Sequence, residues 1–107
     1  MLPFTQRVIE VIKAIPEGYV MTYGQIAEIA GSTRAARQVV RILHSLSKIH
    51  NLPWHRVVNA KGEIAIHDQE GRFLQELHLS SEGVQVNAEG KIDLDIYRYL
   101  PEKEPLI

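Results

Sequence analysis

The sequence predicts an α+β fold that is mainly helical and contains a helix-turn-helix over about residues 22–47. Apolar residues recur at helical spacing in several stretches, and a glycine separates two of them. The β-branched pair Val57-Val58 favours one short strand. With 107 residues, of which 45% are hydrophobic and 23% charged, the chain can bury a core, and we expect a single domain over residues 1–107.

The first predicted helix begins near Thr5, whose hydroxyl can cap it. It ends at residues 16–18, where a Pro-Glu-Gly sequence is typical of a turn. The apolar face of this helix is formed by Val8, by Val11 or Ile12, and by Ile15.

The helix-turn-helix begins at Thr22, because a threonine followed three residues later by Gln25 is typical of a capping box. Its first helix is expected to end at Gly31, since glycine readily adopts the left-handed conformation found just beyond a helix end. Ser32 or Thr33 is expected to cap its second helix, which runs to about residue 46 or 47.

The formal net charge is −1, but the charges are unevenly distributed. Residues 29–62 contain no Asp or Glu and therefore carry +6, which leaves −7 for the rest of the chain. The basic residues of this stretch are Arg34, Arg37, Arg41, Lys48, Arg56 and Lys61. On the second helix, Arg34, Arg37, Arg41 and His44 share one face, whereas Ala36, Val39, Leu43 and Leu46 lie on another. We infer an electropositive surface that meets DNA phosphates; the alternative is a chance cluster on a solvated face.

Residues 52–58 are a candidate pocket motif, because they place a lone tryptophan, a histidine and an arginine before a short strand. Pro53 fixes its own φ and keeps Leu52 out of the helical region. Trp54 and His55 are therefore expected at a loop-to-strand junction, where side chains can face a cleft. The alternative is that Trp54 is an ordinary core residue.

Three elements are expected after this motif: a strand over residues 63–66, a helix over residues 72–79 and a hairpin that pairs residues 84–86 with 91–94. The helix is expected to close the core with Phe73, Leu74 and Leu77. Tyr97 and Tyr99 are expected to cover one side of that core.

The residue types that the sequence lacks exclude several kinds of chemistry. The sequence has no cysteine, which excludes disulfides, thiolate metal sites and a cysteine nucleophile. The start lacks the order of a signal peptide and no apolar run could cross a bilayer, so we expect a cytoplasmic protein without a membrane partner. We expect no metal and no cofactor, and a mobile C-terminal tail over about residues 101–107.

The motif at residues 52–58 resembles the Pro-Cys-His-Arg-Val signature of the O6-alkylguanine-DNA alkyltransferases, whose cysteine accepts the alkyl group of a damaged base. Trp54 stands at the cysteine position, as in the alkyltransferase-like members, which recognise the lesion without removing it. Residues 18–27 and 35–39 resemble two further family elements, and the resemblance extends to about residue 83. It implies a winged-helix-like domain similar to the C-terminal domain of the transferases.

The resemblance also implies roles for individual residues. The helix that carries Arg37 would enter the minor groove, where the planar guanidinium would fill the gap left by a flipped nucleotide. Tyr23 would crowd the target phosphate and help rotate it. The implied lesion pocket is Tyr23, Trp54, Val57 and His67; the implied DNA-binding residues are Tyr23, Arg34, Arg37, Gln38, Arg41 and Lys61; the implied structural network is His55, Arg56 and Glu82.

Two positions depart from the family pattern. Leu46 stands where the transferases have an asparagine, so that part of their hydrogen-bond network is not intact. His67 stands where some alkyltransferase-like proteins carry an arginine over the pocket. An imidazole can stack on a base or donate to it, but its charge depends on pH.

The favoured hypothesis is a non-enzymatic DNA damage recognition protein. It would bind O6-alkylguanine in double-stranded DNA as a monomer, flip the damaged nucleotide into a pocket, bend the DNA and flag it for nucleotide excision repair proteins. One alternative is a base-flipping repair enzyme that uses His55 and Glu82. The other is a helix-turn-helix transcription regulator, which would prefer an undamaged sequence.

Overall fold

The computed structural model describes residues 2–101 and has the expected α+β architecture, which is mainly helical. Its elements in chain order are α1 (Pro3–Lys13), β1 (Met21–Thr22), α2 (Tyr23–Ile29), α3 (Ala36–Leu46), a 3-10 turn (Trp54–Arg56), β2 (Val57–Val58), α4 (Gln69–Ser81) and α5 (Leu94–Tyr97). Within residues 2–101, the helices are all too short or too polar to cross a bilayer. The predicted mobile tail lies, apart from Pro101, outside the described residues.

β1 and β2 form a parallel pair in which Met21 lies opposite Val57 and Thr22 opposite Val58. This confirms the strand predicted at Val57-Val58. Successive residues of a strand point to opposite faces, so Met21 and Val57 join one core cluster whereas Val58 joins another. The strand pair therefore fixes residues 52–58 beside the start of the helix-turn-helix.

The buried hydrophobic residues form two clusters. The first lies among α1, α2 and α3 and contains Val8, Ile9, Ile12, Ile15, Met21, Ile26, Ala27, Ala30, Val39, Ile42, Leu43, Leu52 and Val57. The second contains Val20, Val58, Ile64, Leu79, Val84 and Ile92. Tyr99 packs against the first cluster and Tyr97 against the second, so the two tyrosines cover different parts of the core.

The capping box predicted at the start of α2 is confirmed. Thr22 Oγ1 accepts from the Gln25 amide at 3.1 Å, and Gln25 Oε1 accepts from the Thr22 amide at 3.4 Å. Beyond the other end of α2, Gly31 has a φ of 111°, in the left-handed region that glycine adopts without strain. The predicted bounds of the first helix of the helix-turn-helix are therefore correct.

Neither Ser32 nor Thr33 caps α3, contrary to the prediction. The chain makes one more turn after α2, in which the Ala35 amide donates to the Ser32 carbonyl over 3.3 Å. Ala35 therefore occupies the N-cap position, and no side chain caps the helix. Arg34 lies in this turn and not on α3, which carries Arg37.

The prediction that Thr5 caps α1 is also wrong. The helix begins at Pro3, because a proline in the first turn has a suitable φ and lacks an N–H that would be unpaired there anyway. Leu2 is the N-cap residue and Thr5 lies inside the helix. The helix ends at Lys13, ahead of the predicted turn.

α4 turns a different face to the core from the one predicted. Phe73, Leu74 and Leu77 are 64%, 38% and 51% exposed, whereas Gln75 and Leu79 are buried. The inner face of α4 packs on the 3-10 turn and on backbone carbonyls, which need hydrogen-bond donors. Because these carbonyls need donors, polar side chains of α4 face inward, and Phe73, Leu74 and Leu77 are left on the exposed side.

The strand predicted at residues 63–66 is reduced to one antiparallel bridge between Glu63 and Lys91. The hairpin predicted after α4 is wrong, because the Ile92 amide donates to the Gly62 carbonyl at 2.8 Å instead of pairing with the other arm. This connection leads into α5, which the sequence analysis missed.

Candidate nucleic-acid interface

Trp54 is positioned by a tight turn centred on Pro53. Pro53 has φ −75° and ψ 66°, the geometry of an inverse γ-turn, and the Trp54 amide donates to the Leu52 carbonyl at 2.8 Å. The Arg56 amide then donates to the Pro53 carbonyl at 3.0 Å, which closes the 3-10 turn. Trp54 and His55 therefore lie in a short helical turn that leads directly into β2, at the junction with the strand that the sequence predicts.

Glu82, just beyond the end of α4, ties this turn to the rest of the molecule. Arg56 Nε and Nη2 donate to its two carboxylate oxygens at 2.9 and 2.7 Å, and His55 Nε2 lies 2.7 Å from Oε2. The third nitrogen of Arg56, Nη1, donates to the Ile15 carbonyl at 2.9 Å. The structure thus brings His55, Arg56 and Glu82 together in one part-buried network.

The network fixes the charges of its members. Burial raises the pKa of Glu82, but the hydrogen bonds from Arg56 and His55 outweigh it and lower that pKa to about 2. A carboxylate only accepts hydrogen bonds, so the proton in the short bond belongs to His55 Nε2. Burial also lowers the pKa of His55, although Glu82 opposes this shift. Burial is the larger of these two effects, so the pKa of His55 lies below the ordinary value of an imidazole.

Trp54 is partly buried against the first core cluster and meets two histidines edge-on. Its ring centroid lies 6.2 Å from that of His55 and 6.3 Å from that of His78, at interplanar angles of 89° and 86°. The two imidazoles are themselves 5.0 Å apart. His78 is not among the predicted site residues, although its spacing of four from Glu82 would place both side chains on the same side of a helix.

Gln75 is the second residue of the site that the sequence analysis missed. It is 1% exposed, and its Nε2 donates to the His55 and Val57 carbonyls, both at 3.0 Å. α4 thus holds the backbone of the 3-10 turn Trp54–Arg56, which we call the Trp54 turn, as well as its side chains. No local pattern identifies such a residue, because glutamine on a helix is usually exposed.

The residues expected to line the lesion pocket differ in how deeply they are buried. Tyr23 is partly buried against the same cluster as Trp54, and burial raises the pKa of its hydroxyl. Val57 is 1% exposed, because the pairing of β2 turns its side chain into the core, and its assignment to the pocket stays a prediction. His67 is exposed in the loop before α4.

The basic residues expected to meet DNA are exposed, and α3 carries two of them. α3 buries Val39, Ile42 and Leu43 and exposes its polar side. The exposed residues expected to bind DNA are Arg34, Arg37, Gln38, Arg41 and Lys61. Cations on one side of a helix whose other side is core are suited to contacts with phosphates.

A wide groove lies elsewhere on the surface of residues 2–101. It is lined by residues 83–87 and 91–97 together with Lys61 and Ser80, and Trp54 is not part of it. Within the described residues, no three His, Asp or Glu side chains come together in a way that could hold a metal ion. The Trp54 turn, the Glu82 network and the exposed face of α3 are therefore the candidate functional site.

Comparisons with known proteins identify similar chains. The DNA base-flipping protein of Escherichia coli strain K12 is 51% identical over 98 residues, which cover 90% of this chain and 74% of that protein. Alkyltransferase-like protein 1 of Schizosaccharomyces pombe is 36% identical over 103 residues, which cover 92% of this chain and 95% of that protein. The crystal structure of S. pombe Atl1 in complex with damaged DNA containing O6-carboxymethylguanine matches with a TM-score of 0.83 at 36% identity, covering 92% and 95% of the two chains.

Residues 3–84 match the family described as 6-O-methylguanine DNA methyltransferase, DNA binding domain. The matched region contains the helix-turn-helix, the Trp54 turn and Glu82, which are the parts that form the candidate site. The chain therefore belongs to the 6-O-methylguanine DNA methyltransferase DNA-binding domain family.

Proposed function

We propose that this protein is a non-enzymatic sensor of alkylated guanine in duplex DNA, and that it rotates O6-alkylguanine out of the helix and holds the base against Trp54. The observation that carries the proposal is Trp54 itself. The resemblance of residues 52–58 to the transferase motif puts it at the position of the acceptor cysteine. It lies in a turn held by Pro53 and Glu82, and it packs on the same core cluster as α3. The names and DNA complexes of the similar proteins support this function.

The chemistry of the site supports binding without reaction. Indole offers an apolar face and one N–H donor but no nucleophile, so it can hold an alkylated purine by stacking and dispersion without accepting the alkyl group. The chain has no cysteine at any position. Glu82 is engaged by Arg56 and has a pKa of about 2, which makes it a weak general base. We therefore assign His55 and Glu82 to support of the site.

Base flipping needs a group that replaces the extruded nucleotide. Unstacking a base costs a few kcal/mol, and Arg37 on the exposed side of α3 is the proposed replacement. A planar guanidinium can stack between neighbouring bases and hydrogen-bond the orphaned partner. We propose that α3 does this from the minor groove, that Tyr23 helps to rotate the target phosphate, and that the insertion bends the duplex.

The fate of the lesion follows from the absence of an acceptor group in the proposed pocket. Because the protein would hold O6-alkylguanine without repairing it, other proteins must remove the lesion. We propose that the bent complex recruits nucleotide excision repair. We also propose that the protein acts as a monomer in the cytoplasm, on nucleoid DNA.

Binding to two short duplexes that differ only in guanine or O6-methylguanine tests the proposal, with mass analysis of the recovered DNA. We expect tighter binding to the methylated duplex and recovery of the methyl group intact. Trp54→Ala should reduce the preference, whereas Ile96→Gln, which replaces an exposed residue of α5, should retain it. Loss of the methyl group or of the base would identify an enzyme, and equal binding or a preference for an undamaged sequence would identify a general DNA-binding domain or a regulator.

A further inference from the structure

α4 is amphipathic in the reverse of the usual sense, with polar residues directed inward. Arg72 Nη1 donates to the carbonyls of Ile64 and Ile66 at 3.0 and 3.2 Å. Gln75 donates to two carbonyls of the Trp54 turn and its continuation, and Glu82 beyond the helix end binds Arg56. These bonds fix the rotation of the helix about its axis. α4 cannot turn its apolar residues inward without breaking the site that it supports.

The outward face of α4 carries three large apolar side chains, Phe73, Leu74 and Leu77, which we call the α4 patch. Phe73 and Leu77 are 64% and 51% exposed and lie one helical turn apart, so their side chains are neighbours. The other exposed large hydrophobic residues of the described region are scattered, and no two of them share a helix. A contiguous exposed apolar patch is typical of a surface that binds another macromolecule.

The charges around the α4 patch define the partner. Asp68, Glu70 and Glu76 are exposed, and the two glutamates lie three residues before and after Phe73 on the helix. Arg72 is the only lysine or arginine in residues 62–90, and its guanidinium is directed to backbone carbonyls. This surface repels phosphates and attracts cations. It is therefore suited to a basic protein surface and not to DNA.

We propose that the α4 patch is a docking surface for a protein partner that presents apolar side chains within a basic rim. Phe73 is the anchor, since aromatic side chains dominate such interfaces, and the acidic rim selects and orients the partner. This docking surface goes beyond lesion recognition. Only the role of the partner, in the recruitment of nucleotide excision repair, rests on the proposed function. Because α4 also holds the Trp54 turn, the partner would dock on the outer face of the helix that supports the lesion site.

Two synthetic helical peptides test this proposal by nuclear magnetic resonance on the isotope-labelled protein. Both carry the same leucine face, and one has lysines and the other glutamates along its flanks. We expect the lysine peptide to shift the amide signals of α4 and to bind about tenfold more tightly than the glutamate peptide. The double variant Phe73→Gln, Leu77→Gln should lose about tenfold in affinity, and Glu70→Lys with Glu76→Lys should reverse the preference between the peptides.

Ile96→Gln is the matched control, because Ile96 is 65% exposed on α5 beside an acidic residue, and it should leave peptide binding unchanged. Equal binding of both peptides, binding of neither, or binding that survives the double variant would overturn the proposal. So would α4 signals that shift on dilution without peptide, because this would indicate self-association through the patch. The double variant should keep the preference for methylated DNA. If neither the wild type nor any variant preferred methylated DNA, the proposed sensor function would be wrong, but the peptide result would still support the docking surface.

Discussion

Glu82 is the residue on which the geometry of the site depends most, because donors from distant parts of the chain converge on its carboxylate. Arg56 and His55 lie 26 and 27 positions away, and the Gly18 amide, 64 positions away, is 3.4 Å from Oε1. Each donor stabilises the charged form, and the charge in turn holds the guanidinium of Arg56. The Trp54 turn is therefore tied through Glu82 to the segment that contains Gly18 and to the end of α4.

Glu82→Gln is predicted to destabilise the fold by roughly 3 kcal/mol near neutral pH, because it leaves the part-buried Arg56 cation without its anion. The pKa of Glu82 falls from an ordinary 4.5 to about 2 on folding, so its contribution is fully present above pH 4.5 and is lost as the pH falls towards 2. Urea unfolding at neutral pH, at pH 4.5 and at pH 2.5 measures this contribution. A difference between wild type and variant that stays constant on acidification would contradict the prediction.

Arg37→Ala is predicted to cost roughly 1–3 kcal/mol of binding to the methylated duplex, through loss of a stacking and hydrogen-bonding group. Arg37→Lys should recover only part of this loss, because an ammonium cannot stack as a guanidinium does. Fluorescence polarisation measures both variants. Arg98→Ala removes the same charge from an exposed position outside α3, and an equal loss in this control would show that Arg37 acts only through its charge.

The sequence identifies the residues of the site that belong to a motif and misses those whose role depends on another segment. His55 and Arg56 adjoin Trp54 in the motif, and Glu82 keeps its order in the family resemblance. Gln75 is buried because its amide donates to the carbonyls of His55 and Val57, which no pattern on α4 reveals. The inward direction of the Val57 side chain is equally hidden from the sequence, because in a two-residue strand it depends on pairing with β1.

At the level of elements, the predictable parts of the fold are those with local causes. The capping box of Thr22 and Gln25 spans four residues, and Gly31 ends the same helix, so both could be identified from the sequence. The orientation of α4 could not, because hydrogen bonds to distant carbonyls outweigh the burial of Phe73 and Leu77. Hydrophobic periodicity alone assigns the wrong face to such a helix.

Thr22→Ala is predicted to lower the free energy of unfolding by about 1 kcal/mol, since it removes the side-chain acceptor that caps α2. Thr33→Ala is the matched control, because Thr33 is exposed in the turn before α3 and caps nothing. Chemical denaturation of the two variants provides the comparison. If Thr33→Ala were as destabilising as Thr22→Ala, Thr33 would cap α3 in solution, which is one of the two caps, Ser32 or Thr33, that the sequence predicts.

For the whole molecule, the uneven distribution of charge should be visible in the salt dependence of binding. Each phosphate contact that is lost reduces the slope of log K against log salt by about 0.9. Arg41→Gln should therefore flatten the slope measured between about 50 and 200 mM salt, whereas Arg98→Gln should not. The preference for methylated over unmethylated DNA should change little with salt, because stacking on Trp54 releases no ions. If the preference for methylated DNA fell together with the affinity as salt is raised, contacts to phosphates, and not contacts to the base, would distinguish the two duplexes.

The span of the Glu82 network has a consequence for how the protein is made. The contacts of α2 with α3 are local in sequence, whereas Glu82 reaches Gly18 across 64 positions, and contacts of such separation form late. A chain still on the ribosome can therefore form its helix-turn-helix before it has a lesion site. We expect ribosome-stalled chains of increasing length to bind DNA without discrimination at first, and to acquire a preference for the methylated duplex only after Glu82 has emerged.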